Sequence, residues 1–312
     1  MGSPIIALKS LIEHQVKKNI AREVVFLFIE TQSDRCKHLQ KLLDNFQLPG
    51  NAKVDVINSK FDQTMTKVLD DIEQHRKKPA PCFVMIDPFG ISETPMNVIS
   101  RILSNPKSEV YISIMYNHIN RFLGTSEFEP HLNQLFGCDE WKDANKINDT
   151  EQRQSFLFNL YTEQLKKSGA KYVLYFDLYQ DNKHIYTIFF GTQSLKGCDK
   201  MKAAIWKVAP SGTFKYVGSK SSQLSFNLKA SNFEQLKIQL QDEFIGKGFI
   251  SIEAVLDFVS SDKTPYHSGQ VKKNVLQNME DDENPEIEID NSTRRRRKTY
   301  PSGTKLRFLQ KK

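Results

Sequence analysis

Cys82-Phe83-Val84-Met85-Ile86, running into Asp87-Pro88-Phe89-Gly90, is the most apolar strand-like stretch of the chain, and Pro81 precedes it. A short, uninterrupted apolar run bounded by turn residues reads as a strand. Upstream, the pattern alternates: a helix over Pro4 to Val16, a strand over Val24 to Glu30, a helix over Asp34 to Phe46, a strand over Val54 to Ile57 and a helix over Phe61 to His75. Downstream come a helix over Met96 to Ser104 and a strand over Glu109 to Ile114. This order predicts an α/β domain built from crossover units.

A polar insertion of loop and helix runs from Asn117 to Asp149, and a helix from Thr150 to Ser168 follows it. Strands Tyr172 to Tyr179 and His184 to Phe190 are separated only by Gln180-Asp181-Asn182-Lys183, a connection short enough to require an antiparallel hairpin. The sheet is therefore expected to be mixed. A helix from Gly197 to Lys207 carries Met201 and Trp206 at a spacing that predicts packing on the sheet, and it breaks at Pro210-Ser211-Gly212. Residues 218–231, rich in Ser, Lys and Gln, read as a linker with a strand-like Leu224 to Leu228. Beyond it are helices Phe233 to Ile245, Ser251 to Val259 and Pro265 to Met279, then strands Glu286 to Asp290 and Lys305 to Leu309 around the turn Tyr300-Pro301-Ser302-Gly303. Three helices followed by a β-hairpin is the order of a winged helix-turn-helix. The expected division is a 1–217 Rossmann-like domain, a 218–231 linker and a 232–312 winged helix.

Charge supports a partner for the last segment. The 312-residue chain carries a formal charge of +7, a modest surplus, but Arg294-Arg295-Arg296-Arg297-Lys298 crowd the tip of the hairpin directly after the acidic Glu280 to Asp290. With Tyr300, and with Lys272 and Lys273 on the third helix, they form a candidate phosphate clamp for nucleic acid, DNA more than RNA. Other classes are excluded by what is missing. Mean hydropathy is −0.50, and no apolar run is long enough for a membrane span. Cys36, Cys82, Cys138 and Cys198 are scattered, which argues against a zinc knuckle or a disulfide framework and for a reducing, cytoplasmic setting. The seven histidines show no metal-ligand spacing, so no metal is predicted. Neither a nucleophile elbow nor a P-loop occurs.

The expected chemistry centres on Asp87, Pro88 and Phe89, because ligands of open α/β sheets bind beyond the carboxyl ends of the strands. The tetrapeptide is similar to the Asp-Pro-Pro-Tyr type motif of amino-group methyltransferases. There the carboxylate and a proline carbonyl accept hydrogen bonds from the target amine while the aromatic ring stacks on the base. Holding the hydrogens of a conjugated amine localises its lone pair for in-line attack. A plain strand-ending turn is the competing reading of the same residues. Glu30 closes its strand where an acid commonly holds a cofactor ribose, although a glycine loop about 20 residues upstream, as that role expects, would fall inside the first helix.

The chain resembles the bacterial three-Cys-motif partner (TcmP) proteins. The similarity lies in Gly2-Ser3-Pro4-Ile5-Ile6-Ala7-Leu8, in Phe83 to Gly90, and in Phe190-Gly191-Thr192 continuing through Lys200 to Gly212, with Ala209 where the family pattern has Asp. The resemblance implies a class I methyltransferase-like domain with a C-terminal winged helix, S-adenosylmethionine as cofactor, Asp87, Pro88 and Phe89 at the amine, Glu30 at the ribose, and a three-Cys-motif protein as partner. Members usually carry a strand and a glycine-rich cofactor loop ahead of the Gly-Ser-Pro segment. Here the expectation is a domain without that first strand, acting either as a nucleic-acid methyltransferase or as a non-catalytic nucleic-acid-binding adaptor.

Overall fold

The structure is a computed structural model and describes residues 2–14, 21–77, 79–88, 90, 94–180, 183–210, 215–217, 232–281 and 283–310. The fold class is α/β with a mixed sheet. The chain divides into two compact units, Met1–Lys78 and Pro79–Lys312. The expected linker at 218–231, with its strand-like Leu224 to Leu228, lies outside the described residues.

In the first unit, α1 (Ser3–Ile12), β1 (Val24–Glu30), α2 (Ser33–Leu43), β2 (Ala52–Asn58) and α3 (Phe61–Gln74) follow the expected order. Strands β1 and β2 pair in parallel from Val24 opposite Ala52 to Glu30 opposite Asn58. Phe26, Phe28, Val54 and Val56 fall on one face by the period-two rule, and they pack with buried Ile5, Leu8 and Leu43 from the helices.

The second unit contains β3 (Cys82–Ile86), α4 (Met96–Leu103), β4 (Ser108–Ile114), α5 (Tyr116–Phe122), α6 (Glu129–Phe136), α7 (Thr150–Lys167), β5 (Tyr172–Gln180), β6 (Lys183–Thr192), α8 (Leu195–Val208) and β7 (Lys215–Val217). Its sheet order is β3-β4-β6-β5-β7. β3 and β4 are parallel, and the predicted hairpin of β5 and β6 is antiparallel, with β6 inserted beside β4. One face packs Phe189 edge-on against Phe158 and Tyr161 of α7. The other receives α8, whose Ile205, with Ala209 just past the helix end, meets Phe176 and Ile188.

Two adjacent stripes of α8 do different work. Met201 and Ile205, four apart, face the sheet as expected. Trp206 does not: one position further round the helix, it packs on the C-terminal core, stacks beside Phe233 and donates its indole N–H to Pro265 O at 2.7 Å. Lys202, on the same stripe, is fully buried. Its ammonium donates to Val259 O, to Ser261 O at 2.6 Å and to Thr264 O at 3.1 Å. Burial pushes this group down to about 8, against the pull of Cys198, Asp199 and Asp262, which leaves it charged at neutral pH. Gly197, in the first turn of α8, admits the Glu109 carboxylate that Thr192 also holds; a Cβ there would lie 2.1 Å from Glu109 Oε1.

The carbonyls bound by Lys202 lie in the last turn of the helix Ile252–Ser260 and in the loop that follows it. The C-terminal part of the unit runs α9 (Asn232–Phe244), β8 (Ile250–Ser251), α10 (Ile252–Ser260), a helical run over 268–279, β9 (Ile287–Ile289) and β10 (Lys305–Phe308). Its strands form an antiparallel sheet in the order β8-β10-β9. Leu236, Leu240, Val255, Val259, Val275, Leu306 and Phe308 are among the residues of one core. The third helix begins at Ser268 rather than at Pro265. Asp199 of α8 takes the Ser268 N–H at 2.7 Å and its hydroxyl at 2.8 Å, while the Pro265 carbonyl goes to Trp206, so the preceding residues are held as a loop. Replacing Lys202 by Met would leave these carbonyls short of donors and should lower stability by about 2–3 kcal/mol, measured as a shift of the urea unfolding midpoint.

Candidate nucleic-acid interface

The connection from β9 to β10 is tied down along its length. Asp290 accepts the Ser292 N–H at 3.1 Å and its hydroxyl at 2.6 Å, which starts a turn at Asn291–Thr293. The Thr293 hydroxyl donates to Asp290 O and accepts the Lys305 N–H, at 2.6 and 3.0 Å. At the far end, Glu253 takes the Ser302 hydroxyl at 2.7 Å and the Gly303 N–H at 2.9 Å. Gly303 sits at φ +83°, a conformation that glycine adopts without strain.

The centre of the loop is held by Glu280, at the end of the third helix. The Arg294 guanidinium donates to both its oxygens, at 2.7 and 2.5 Å, and the Tyr300 hydroxyl donates to Oε2 at 2.7 Å. The Arg294 and Glu280 side chains are only 5% and 7% exposed, which makes this a buried, bidentate ion pair. Burial pushes the Glu280 carboxyl upward, but the bonds from Arg294 and Tyr300 outweigh it and the net direction is down. Burial and the Glu280 bond together raise the Tyr300 hydroxyl. The Lys272 ammonium donates to Tyr300 O at 2.5 Å and the Gln277 amide donates to Lys298 O at 2.9 Å, so the third helix grips the loop twice more. Lys272–Leu276 is π-helical, a widened turn within that helix.

The expected clamp residues therefore divide. Arg294, Lys272 and Tyr300 are engaged inside the protein and act as anchors rather than as contacts presented to solvent. Lys273, Arg295, Arg296, Arg297 and Lys298 are exposed. The Arg297 Nε lies 3.6 Å from Glu280 Oε1 while its side chain stays 58% exposed. The loop also encloses an open concavity of about 580 Å³ lined by Ser292, Thr293, Arg295, Arg296 and Thr299, among others. The loop thus presents adjacent exposed cations beside the hydroxyls of Ser292, Thr293 and Thr299. Glu280 is the functional residue that sequence reading missed. Its position as an acid closing a helix, 14 residues before the first Arg of the loop, was the available signal.

Asp87 stands exposed just past the carboxyl end of β3, with Pro88 half-buried, and Phe89 lies outside the described residues. Register places Tyr111 and Tyr186 on the same sheet face as Asp87. Burial, then the charges of Tyr186 and Asp87, push the Tyr111 hydroxyl up to about 12. Glu30 ends β1 as expected, but its carboxylate accepts the Gln32 N–H at 2.9 Å in the turn that starts α2. Glu30 and Asp87 fall in different compact units. A polar cluster unforeseen in sequence joins Asp177, Thr187 and His184: the Thr187 hydroxyl donates to Asp177 at 2.5 Å, and His184 Nε2 lies 2.9 Å from Thr187 Oγ1. Nδ1 of His184 is buried without a hydrogen-bond partner.

No protein-family model matches the chain, and no curated protein matches it. Among the described residues, no helix is long and apolar enough to cross a membrane.

The Glu280 anchor has a pH signature. Its folded value is lowered, so the stabilisation it provides is present above the unfolded value of 4.5 and is lost as pH falls through the lowered folded value. Glu280→Gln should remove that acid-sensitive component of the unfolding curve. At neutral pH it should destabilise the protein by roughly 3–5 kcal/mol, because it leaves the Arg294 charge buried without its counter-charge.

Proposed function

We propose that this protein binds nucleic acid through the β9–β10 loop, as a winged helix attached to a methyltransferase-like sheet in the manner of the three-Cys-motif partner proteins it resembles. The carrying observation is the anchored loop itself: Arg295, Arg296, Arg297 and Lys298 stand exposed on a segment whose ends are fixed by buried Glu280. Fixing these side chains' backbone in advance reduces the ordering cost of binding. The helix–strand–helix–helix–strand–strand order of 232–308 supports the winged-helix reading. In this reading Arg295 and Arg296 meet phosphates, Lys273 on the third helix lies towards the groove, and duplex DNA is the preferred ligand. Parallel β3 and β4, followed by an antiparallel strand inserted beside β4, support the Rossmann-like, methyltransferase-like reading of the sheet.

The second reading, transfer of a methyl group to a base amine, rests on exposed Asp87 at a strand's carboxyl end with Tyr111 and Tyr186 on its face. Asp87 and the Pro88 carbonyl would hold the hydrogens of the amine. S-adenosylmethionine is the cofactor that the resemblance implies. The Glu30 carboxylate already accepts the Gln32 N–H on Oε1, which leaves Oε2 as the oxygen that would meet a ribose hydroxyl. The adaptor form of the proposal, a nucleic-acid binder serving a three-Cys-motif protein, is the one the geometry favours. Calorimetric titration with S-adenosylmethionine separates the two: tight binding that is weakened in Glu30→Gln would favour the enzyme, and no binding would favour the adaptor.

For the interface, Arg295→Ala with Arg296→Ala should weaken duplex binding about ten-fold or more at low salt and flatten the log–log salt slope by about two contacts' worth. Fluorescence anisotropy across a salt series measures both. An unchanged slope would remove the loop from the function.

A further inference from the structure

The open concavity of the basic loop, about 580 Å³, falls in the range of roughly 300–1,000 Å³ that small-molecule sites span. Its wall divides hydrogen-bonding roles between two kinds of residue. The Ser and Thr hydroxyls have spent their hydrogens inside the protein: Ser292 donates to the Asp290 carboxylate at 2.6 Å, Thr293 to Asp290 O at 2.6 Å and Thr299 to Arg296 O at 2.5 Å. Thr293 also takes the Lys305 N–H. Ser292 and Thr299 therefore keep lone pairs with which to accept and have no proton to give. The donors come from Arg295 and Arg296, exposed cations with which no carboxylate is paired among the described residues. Arg294, their neighbour on the wall, is committed to Glu280. Pro301 adds an apolar ring and no N–H.

We infer that this concavity is a subsite for one unpaired nucleotide, with its phosphate on Arg295 and Arg296 and an N–H or O–H of its base or sugar on Thr299 and Ser292. A bare phosphate satisfies the arginines but sets its remaining oxygens against hydroxyls that can only accept. A nucleotide joins an anion to amine and hydroxyl donors within one small group, and so meets both halves of the wall. A base-paired nucleotide does not enter, because its base is stacked inside the helix and its pairing edge is occupied. A nucleotide at a strand end, or flipped out of the stack, presents phosphate and base together. The loop thus holds a duplex through its phosphates and prefers one that carries an unpaired nucleotide. This inference rests on the nucleic-acid reading and narrows its ligand.

The test uses two duplexes of one sequence, each ending in a single 5′-phosphorylated unpaired residue, deoxyadenosine in one and an abasic residue in the other. Both carry the same phosphates. A net hydrogen bond changes affinity by about three- to ten-fold, and fluorescence anisotropy should show wild type preferring deoxyadenosine by that factor. Thr299→Val should bring the ratio close to one, and Thr299→Ser should restore it. If wild type binds both duplexes equally, or if Thr299→Val keeps the preference, the inference is overturned while the nucleic-acid reading survives. Since the Thr299 hydroxyl also holds Arg296 O, a second measurement needs wild type alone. Adenosine 5′-monophosphate should displace the deoxyadenosine duplex at a lower concentration than inorganic phosphate does, and equal potency overturns the inference. If neither duplex binds, the nucleic-acid reading falls. Saturation-transfer NMR with adenosine 5′-monophosphate then decides the concavity: a signal lost in Thr299→Val keeps it as a nucleotide site, and any other result overturns it.

Discussion

A buried carboxylate must find its full complement of donors or lose its charge, and Glu280 meets that demand with Arg294 and Tyr300. Both donors come from the basic loop, one from each side of the exposed run Arg295–Lys298. The requirement that stabilises the core therefore fixes the shape of the surface. Four successive basic residues repel one another and, unanchored, would spread into solvent. Arg294 gives up its availability to ligand and gains a place in the core, and its neighbours are displayed because it is not.

A second constraint of the same kind joins the loop-bearing module to the sheet. Lys202 and Trp206 occupy a stripe of α8 turned away from the sheet, and their donors reach carbonyls from Val259 to Pro265. Asp199, one turn earlier, holds Ser268 at the start of the third helix. A single helix thus packs on the sheet with Met201 and Ile205 and organises the C-terminal module with Asp199, Lys202 and Trp206. This explains why residues 79–312 behave as one compact unit.

Much of this architecture was readable in advance. The apolar run Cys82–Ile86, the alternation around it and the short Gln180–Lys183 connection predicted the strands and the antiparallel hairpin, because hydrophobic runs and turn length are local properties; the exposure of β3, with Phe83 and Met85 at 55% and 48%, was not predicted, since burial depends on what covers a strand. The start of the third helix was misplaced by a few residues, since Pro265 looked like a helix opener until its carbonyl was claimed by Trp206, 59 residues earlier. The same holds for Trp206 itself: helical spacing shows that it is buried, not which neighbour covers it. In the loop, composition announced a basic patch but could not separate Arg294 from Arg295, adjacent residues of one type that differ only in what lies opposite them.

The order of elements, the mixed α/β class and the concentration of positive charge between β9 and β10 were thus decided by the sequence alone, through hydrophobic period, turn chemistry and charge runs. Which of those charges face solvent, which acid restrains them and how α8 binds the C-terminal module were decided only by tertiary structure. Those outcomes depend on buried polar groups finding partners far away in the chain, and the energy of such pairing depends on distance in space and dielectric surroundings, neither of which is written in local sequence.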